Sequence, residues 1–160
     1  MNNKQPCIAT LLAAVLSFAS AGSWAQASAP AATAPAPSAA AVAAAKEPGA
    51  VVSETGMVYR SLREGTGASP LATDNVKVHY RGTLPDGTEF DSSYKRGEPA
   101  SFPLNRVIKC WTEGVQRIKV GGKAKLTCPA HIAYGPRAVG GVIPANATLL
   151  FEVELLEIQR

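Results

Sequence analysis

Few side chains in this 160-residue sequence have the types and spacing that bond-making chemistry needs. His79 and His131 stand alone and make poor metal ligands. Cys110 and Cys128 lie 18 positions apart, which excludes both the Cys-x-x-Cys of a redox centre and the paired knuckles of a zinc site. No Ser/His/Asp or Cys/His constellation suggests a nucleophile. No metal and no cofactor are therefore expected. What remains is a scattered aromatic set, Tyr80, Phe90, Phe102, Trp111, Tyr134 and Phe151, with Asp91 and Arg96 interleaved. Such residues hold and orient a ligand; they do not make bonds to it. Each has a structural rival. Trp111 and the three phenylalanines read singly as core. Tyr80 sits on a buried strand face, where its hydroxyl needs a partner in any case. Asp91 would serve as a turn or capping residue, and Arg96 as a solvated charge. Tyr134, beside Gly135 in a loop, is the hardest to explain as structure.

The elements that must position these residues can be read from periodicity. Val76, Val78 and Tyr80 alternate with Lys77, His79 and Arg81, the period of a half-buried strand. Leu84-Pro85-Asp86-Gly87 is a turn, since proline presets φ and glycine accepts positive φ. Residues 88–91 return as the second arm of a hairpin. Ala124, Leu126 and Cys128 alternate with Lys123, Lys125 and Thr127. Leu149, Phe151, Val153 and Leu155 mark the last strand, and residues 58–63 a weaker one. One helix stands out, with Ile108, Trp111, Val115 and Ile118 on one face and Gly121-Gly122 as its stop. Mostly antiparallel strands and one short helix predict an α+β domain. Residues 130–145 form a long segment rich in Gly and Pro that still carries Ile132, Tyr134, Val139, Val142 and Ile143. A loop with its own hydrophobes is a plausible wall for an apolar pocket.

Composition bounds the rest. The apolar fraction is 46%, but residues 25–45 hold 13 Ala and 3 Pro and cannot build a core. The partners for a core lie after residue 45, enough for a single domain. The net charge of +4 and the lack of a dense basic tract argue against nucleic acid. No apolar run reaches the roughly 20 residues of a membrane span. Lys4, the apolar stretch Ile8 to Ala21 and Ser23-Trp24-Ala25 read as an export signal over residues 1–25, with cleavage after Ala25 or Ala27. Residues 26–48 read as a disordered Ala/Pro linker whose role is reach, in which Ala39 to Ala45 could form a helical turn or two, too short to persist alone. Residues 49–160 are then the functional domain, exported to a bacterial periplasm and monomeric. In an oxidising compartment Cys110 and Cys128 invite a disulfide, the rival being two buried thiols that act as small hydrophobes.

The ordered set Val78-His79-Tyr80, residues 86–93 (Asp-Gly-Thr-Glu-Phe-Asp-Ser-Ser), Val107-Ile108 with Trp111, Glu113-Gly114-Val115, Ala133-Tyr134-Gly135 and residues 143–149 (Ile-Pro-Ala-Asn-Ala-Thr-Leu) resembles the FKBP-type peptidyl-prolyl isomerases. The likeness is greatest to the exported bacterial branch that includes the macrophage infectivity potentiator, and it covers residues 50–160. It implies a curved antiparallel sheet wrapped around the short helix. It also implies a proline pocket floored by Trp111 and walled by Tyr80, Phe90, Phe102, Val107, Ile108 and Phe151. The Tyr134 hydroxyl and the Ile108 backbone N–H would bind carbonyls. Asp91 would face the twisting amide, held by Tyr80 and Arg96, with Val142 and Ile143 closing the pocket. The implied partners are proline-containing unfolded or exported polypeptides, and macrolides such as tacrolimus as inhibitors.

Departures from the family pattern are Ala100 where an aromatic is frequent, Val139 in the loop, Arg106 where an acid is common, and Cys110 where glycine is frequent. The rival function is a holdase-type chaperone or peptide-binding module with little turnover.

Overall fold

The computed structural model describes residues 38–160. The expected export signal and residues 26–37 of the expected linker lie outside the described residues. A seven-stranded antiparallel sheet is built from β1 (Ala50–Val52), β2 (Val58–Arg63), β3 (Asn75–Thr83), β4 (Glu89–Ser92), β5 (Ala100–Pro103), β6 (Lys123–Cys128) and β7 (Leu149–Gln159). Their order is β1-β2-β6-β7-β3-β4, with β5 also on β3. The alternation read in the sequence places one set of side chains in the core. Val76, Val78 and Tyr80 from β3, Ala124, Leu126 and Cys128 from β6, and Leu149, Phe151, Val153 and Leu155 from β7 are all buried. The long β3–β7 pair carries the centre, with Tyr80 opposite Val153 and Gly82 opposite Phe151.

Helix α3 (Lys109–Val115) packs against this sheet through Cys110, Trp111, Gly114 and Val115. It is shorter than the predicted periodicity. Ile108 is its cap, and Ile118 lies beyond its end yet stays buried. The Ile108 carbonyl accepts from the N–H groups of Trp111 and Thr112 at 2.9 and 3.1 Å, and Thr112 Oγ1 donates to the Leu104 carbonyl at 2.6 Å, so the first turn is held at both ends. Cys110 is joined to Cys128 in a disulfide, Cα atoms 5.7 Å apart, which ties the residue before Trp111 to the end of β6.

Two further helices accompany α3. α1 (Ala39–Ala45) falls inside the segment read as linker and corrects that boundary. Seven residues rich in alanine are too few to hold a helix alone, so tertiary contacts supply what propensity lacks. Ser38 caps Ala41 at 3.2 Å, Ala41 and Ala44 are buried, and Thr148 Oγ1 donates to Ser38 Oγ at 2.6 Å. Just past the helix, Glu47 takes Arg60 at 2.5 Å and Lys125 at 3.0 Å. α2 (Ser93–Arg96) is a single turn closed by Gly97. Strand β5, flanked by Pro99 and ending at Pro103, showed no alternation because it is a four-residue edge strand where proline is tolerated. Among the described residues no helix is long and apolar enough to cross a membrane.

Candidate active site

The site begins at an interruption in the sheet. One edge of β3 is shared: β5 pairs with Asn75 to Val78, and β4 with Arg81 to Thr83. His79 and Tyr80 fall between the two and have no strand beside them there. Ser93, fully buried at the start of α2, fills the gap. Its Oγ accepts from the Tyr80 N–H at 2.8 Å, lies 3.2 Å from the Tyr80 carbonyl, and is 3.0 Å from His79 Nδ1. One hydroxyl thus replaces the ladder that a buried backbone would otherwise lose. It sets Tyr80 with its ring in the concave face.

The break also brings the polar group of the site together. The Tyr80 hydroxyl donates to Asp91 Oδ2, and Arg96 donates to Asp91 Oδ1 at 2.5 Å and to the Tyr80 oxygen at 3.0 Å. The Arg96 guanidinium also lies 5.5 Å from the centre of the Tyr80 ring. Burial works to raise the Asp91 carboxyl, but the Tyr80 hydroxyl and the Arg96 charge outweigh it and hold the group below the usual carboxylate range. Burial, then the hydrogen bond to Asp91, pushes the Tyr80 phenol up. At neutral pH the triad is therefore phenol, carboxylate and guanidinium, with Asp91 neutralised by its neighbour.

Trp111 forms the floor. Tyr80, Phe102 and Phe151 meet its ring edge-on at 5.2, 5.5 and 5.4 Å, and Phe90 meets Phe151 the same way at 5.5 Å. Gly82 makes the wall possible, since a Cβ there would come within 2.5 Å of the Phe90 ring. The Trp111 Nε1–H is buried without a hydrogen-bond partner. The hollow measures about 480 Å³ and is lined by the twelve residues Tyr80, Phe90, Asp91, Phe102, Val107, Ile108, Trp111, Tyr134, Val142, Ile143, Phe151 and Val139, together with Arg106 and Gly140.

The segment 130–145 supplies the remaining wall. Val139 and Ile143 exchange backbone hydrogen bonds at 2.9 and 3.0 Å across Gly140, Gly141 and Val142, the Val142 N–H also donates to the Val139 carbonyl at 3.3 Å, and both glycines take the positive φ (61° and 69°) that so tight a turn needs. The turn buries Ile143 and leaves Val142 at the mouth. Gly135 donates to the Ala130 carbonyl at 2.7 Å and accepts from Asn146 at 2.8 Å, pinning the loop beside Tyr134. The Tyr134 ring is 39% exposed. Among the described residues its hydroxyl makes no hydrogen bond, and neither does the Ile108 N–H. Both are free for a ligand.

Every site residue expected from the sequence lines this hollow except Arg96, which acts from behind Asp91. The bridge-forming cysteines lie beneath its floor. Sequence reasoning missed Ser93 and Gly140. Ser93 carried no periodic signal, because the need for it arises only where β4 and β5 part.

The fold and this hollow place the chain in a class. Residues 67–156 match the model of the FKBP-type peptidyl-prolyl cis-trans isomerases, and the chain belongs to that family. It is 58% identical over 116 residues to the FKBP-type peptidyl-prolyl cis-trans isomerase FkpA of Aeromonas hydrophila, covering 72% of this chain and 43% of that protein. It is 46% identical over 114 residues to the outer membrane protein MIP of Legionella longbeachae, covering 71% and 49%. FK506-binding protein 1A of Neurospora crassa is 50% identical over 110 residues, covering 68% and 85%. The crystal structure of FkpA from Escherichia coli superposes with a TM-score of 0.72 at 51% identity, over 74% of this chain and 55% of that one. The chain thus spans about half the length of the bacterial relatives it matches.

Proposed function

We propose that the protein is a peptidyl-prolyl cis-trans isomerase that accelerates X-Pro rotation in exported polypeptides. The observation that carries this reading is an apolar hollow of about 480 Å³ floored by Trp111, lined also by the Ile108 N–H and the Tyr134 hydroxyl, which make no hydrogen bond among the described residues. Rotation about an amide must cross a barrier of ~18–20 kcal/mol set by its resonance. At the top of that barrier the bond is twisted, conjugation is lost and the dipole is smaller. An apolar site that binds the twisted form better than either planar form lowers the barrier without a bond being made. A millionfold acceleration needs only about 8 kcal/mol.

The residues divide that task. Trp111, Phe102 and Phe151 hold the proline ring. The Ile108 N–H and the Tyr134 hydroxyl fix carbonyls on the two sides of the bond, so that rotation occurs in one part of a clamped chain. Asp91, kept ionised and in place by Tyr80 and Arg96, presents a fixed carboxylate to the rotating amide. The same hollow suits the apolar ring of macrolides such as tacrolimus. All of these residues lie within residues 80–151, so the proposed site needs no group from a second chain. The expected export signal supports a periplasmic location.

The test is a protease-coupled or NMR exchange assay with a Leu-Pro peptide. Turnover that tacrolimus blocks is expected, and no acceleration over the uncatalysed rate would refute the reading. The exposed Val142 and Tyr134 at the mouth also suit a holdase. Aggregation suppression that survives removal of the Trp111 ring, with no peptide turnover, would favour that alternative.

A further inference from the structure

The hollow is nearly neutral except at one point. Its only charged lining residues are Asp91 and Arg106. Asp91 is neutralised by Arg96 at 2.5 Å. Arg106 is exposed on the turn between β5 and α3, and among the described residues its guanidinium has no ion pair or hydrogen bond. Lys109, next to the lining residue Ile108, and Arg137, two residues before the lining residue Val139, are likewise exposed and in no ion pair among the described residues. The mouth therefore carries an unbalanced positive charge that no feature of the fold uses. Among the described residues ten of the fifteen Lys and Arg form ion pairs, and of the five that do not, only Arg106 lines the hollow.

Resting on the isomerase reading above, we propose that Arg106 is a specificity-determining residue, and that between charged neighbours of the proline it favours an acidic side chain over a basic one. A proline ring seated on Trp111 leaves its neighbouring residues at the rim, within reach of a long flexible arginine. A carboxylate there gains attraction and possible bidentate hydrogen bonds. An ammonium there is repelled. An exposed pair of this kind is worth little, so the expected preference is modest, about fivefold for acidic over basic peptides. It weakens with salt, because the Debye length falls to ~3 Å at 1 M.

The experiment measures kcat/KM of the full chain on matched peptides with Glu, Leu or Lys before proline, and a second set with the same residues after it. A Glu-to-Lys ratio of about five in either set is expected at low salt. That ratio should fall toward one in R106A, invert in R106E and collapse in 1 M NaCl. Because each ratio is taken within one variant, any general change in turnover cancels. A ratio near one in both sets, or a ratio that R106E leaves unchanged, overturns the proposal while turnover of the Leu peptide keeps the isomerase reading intact. No turnover of the Leu peptide defeats that reading, and the charge preference falls with it.

Discussion

Two hollows among the described residues invite comparison, and the larger of the pair is the less informative. Beneath α1 lies a groove of about 780 Å³, lined by Ala41, Val42, Ala45, Val52, Val58, Pro129 and Pro136 among others. The hollow over Trp111 has about 480 Å³. The groove mixes small aliphatic side chains with scattered polar ones such as Lys46, Glu54 and His131, and has no Phe, Tyr or Trp ring on its lining. The hollow offers four edge-on ring contacts around its floor and walls, a carboxylate held by two donors, and an unused N–H and hydroxyl. Volume alone therefore says little about chemistry. Convergence of oriented groups in an apolar setting is what separates the two.

This contrast can be broken by substitution. The largest effect should come from W111A. Removing a ring that is 4% exposed and meets three others should cost about 3–5 kcal/mol of stability, seen in urea unfolding. Peptide turnover should fall by about 100-fold, roughly 2.7 kcal/mol of lost transition-state binding. A variant as active as wild type would mean that the hollow is only core. Next is the staple under the floor. Replacing both Cys110 and Cys128 by alanine should lower stability by about 3 kcal/mol through the freed loop. Intact mass should rise by two protons on reduction of the unfolded wild type, and an unchanged mass would show that no bridge forms.

The triad gives a smaller, pH-dependent effect. Asp91 has a folded pKa below its unfolded one, so its ion pair stabilises the fold above the ordinary carboxylate range. That contribution is lost as pH falls through the folded value. The stability gap between wild type and D91N should therefore be present at neutral pH and close only in strong acid. Asp91 is 43% exposed, so the gap should be at most about 1 kcal/mol. A gap that widens in acid would contradict the triad's charge assignment. Smaller still is Y134F, which removes a hydroxyl with no partner in the domain. Turnover should fall about threefold, roughly 0.65 kcal/mol, with an unchanged unfolding midpoint. Least of all, V42D in the groove beneath α1 should leave turnover within about twofold, as surface changes do. A large loss there would show that the two hollows are coupled.

The two regions also differ in how legible they were. The strands that carry the hollow, β3, β6 and β7, announce themselves by alternation of period two, and α3 by its apolar stripe. Tyr80, Phe151 and Trp111 could be assigned to buried faces on that basis. The order of motifs, carried by the family resemblance, turned separate core residues into one pocket. The region under α1 was legible only in part, since a helical turn over residues 39–45 could be read but not that it would persist. An alanine-rich segment with no large side chain reads as linker, and its helix exists only because Ser38, Thr148 and Glu47 anchor it to the sheet. β1 and β5 are too short for any period to show, and Ser93 answers a gap that no window of residues contains.

What the chain determined by itself was local. Alternation, turn chemistry and the helical stripe follow from side-chain sterics and burial within a few residues. The positions of Pro and Gly fixed where the elements stop. Tertiary structure alone decided which rings meet, that β3 is shared between two partners, that Asp91 sits between Tyr80 and Arg96, and that residues 139–143 fold into a tight wall. Those outcomes depend on contacts between residues far apart in sequence. Their energies arise only when the sheet closes around α3 and excludes water from between them.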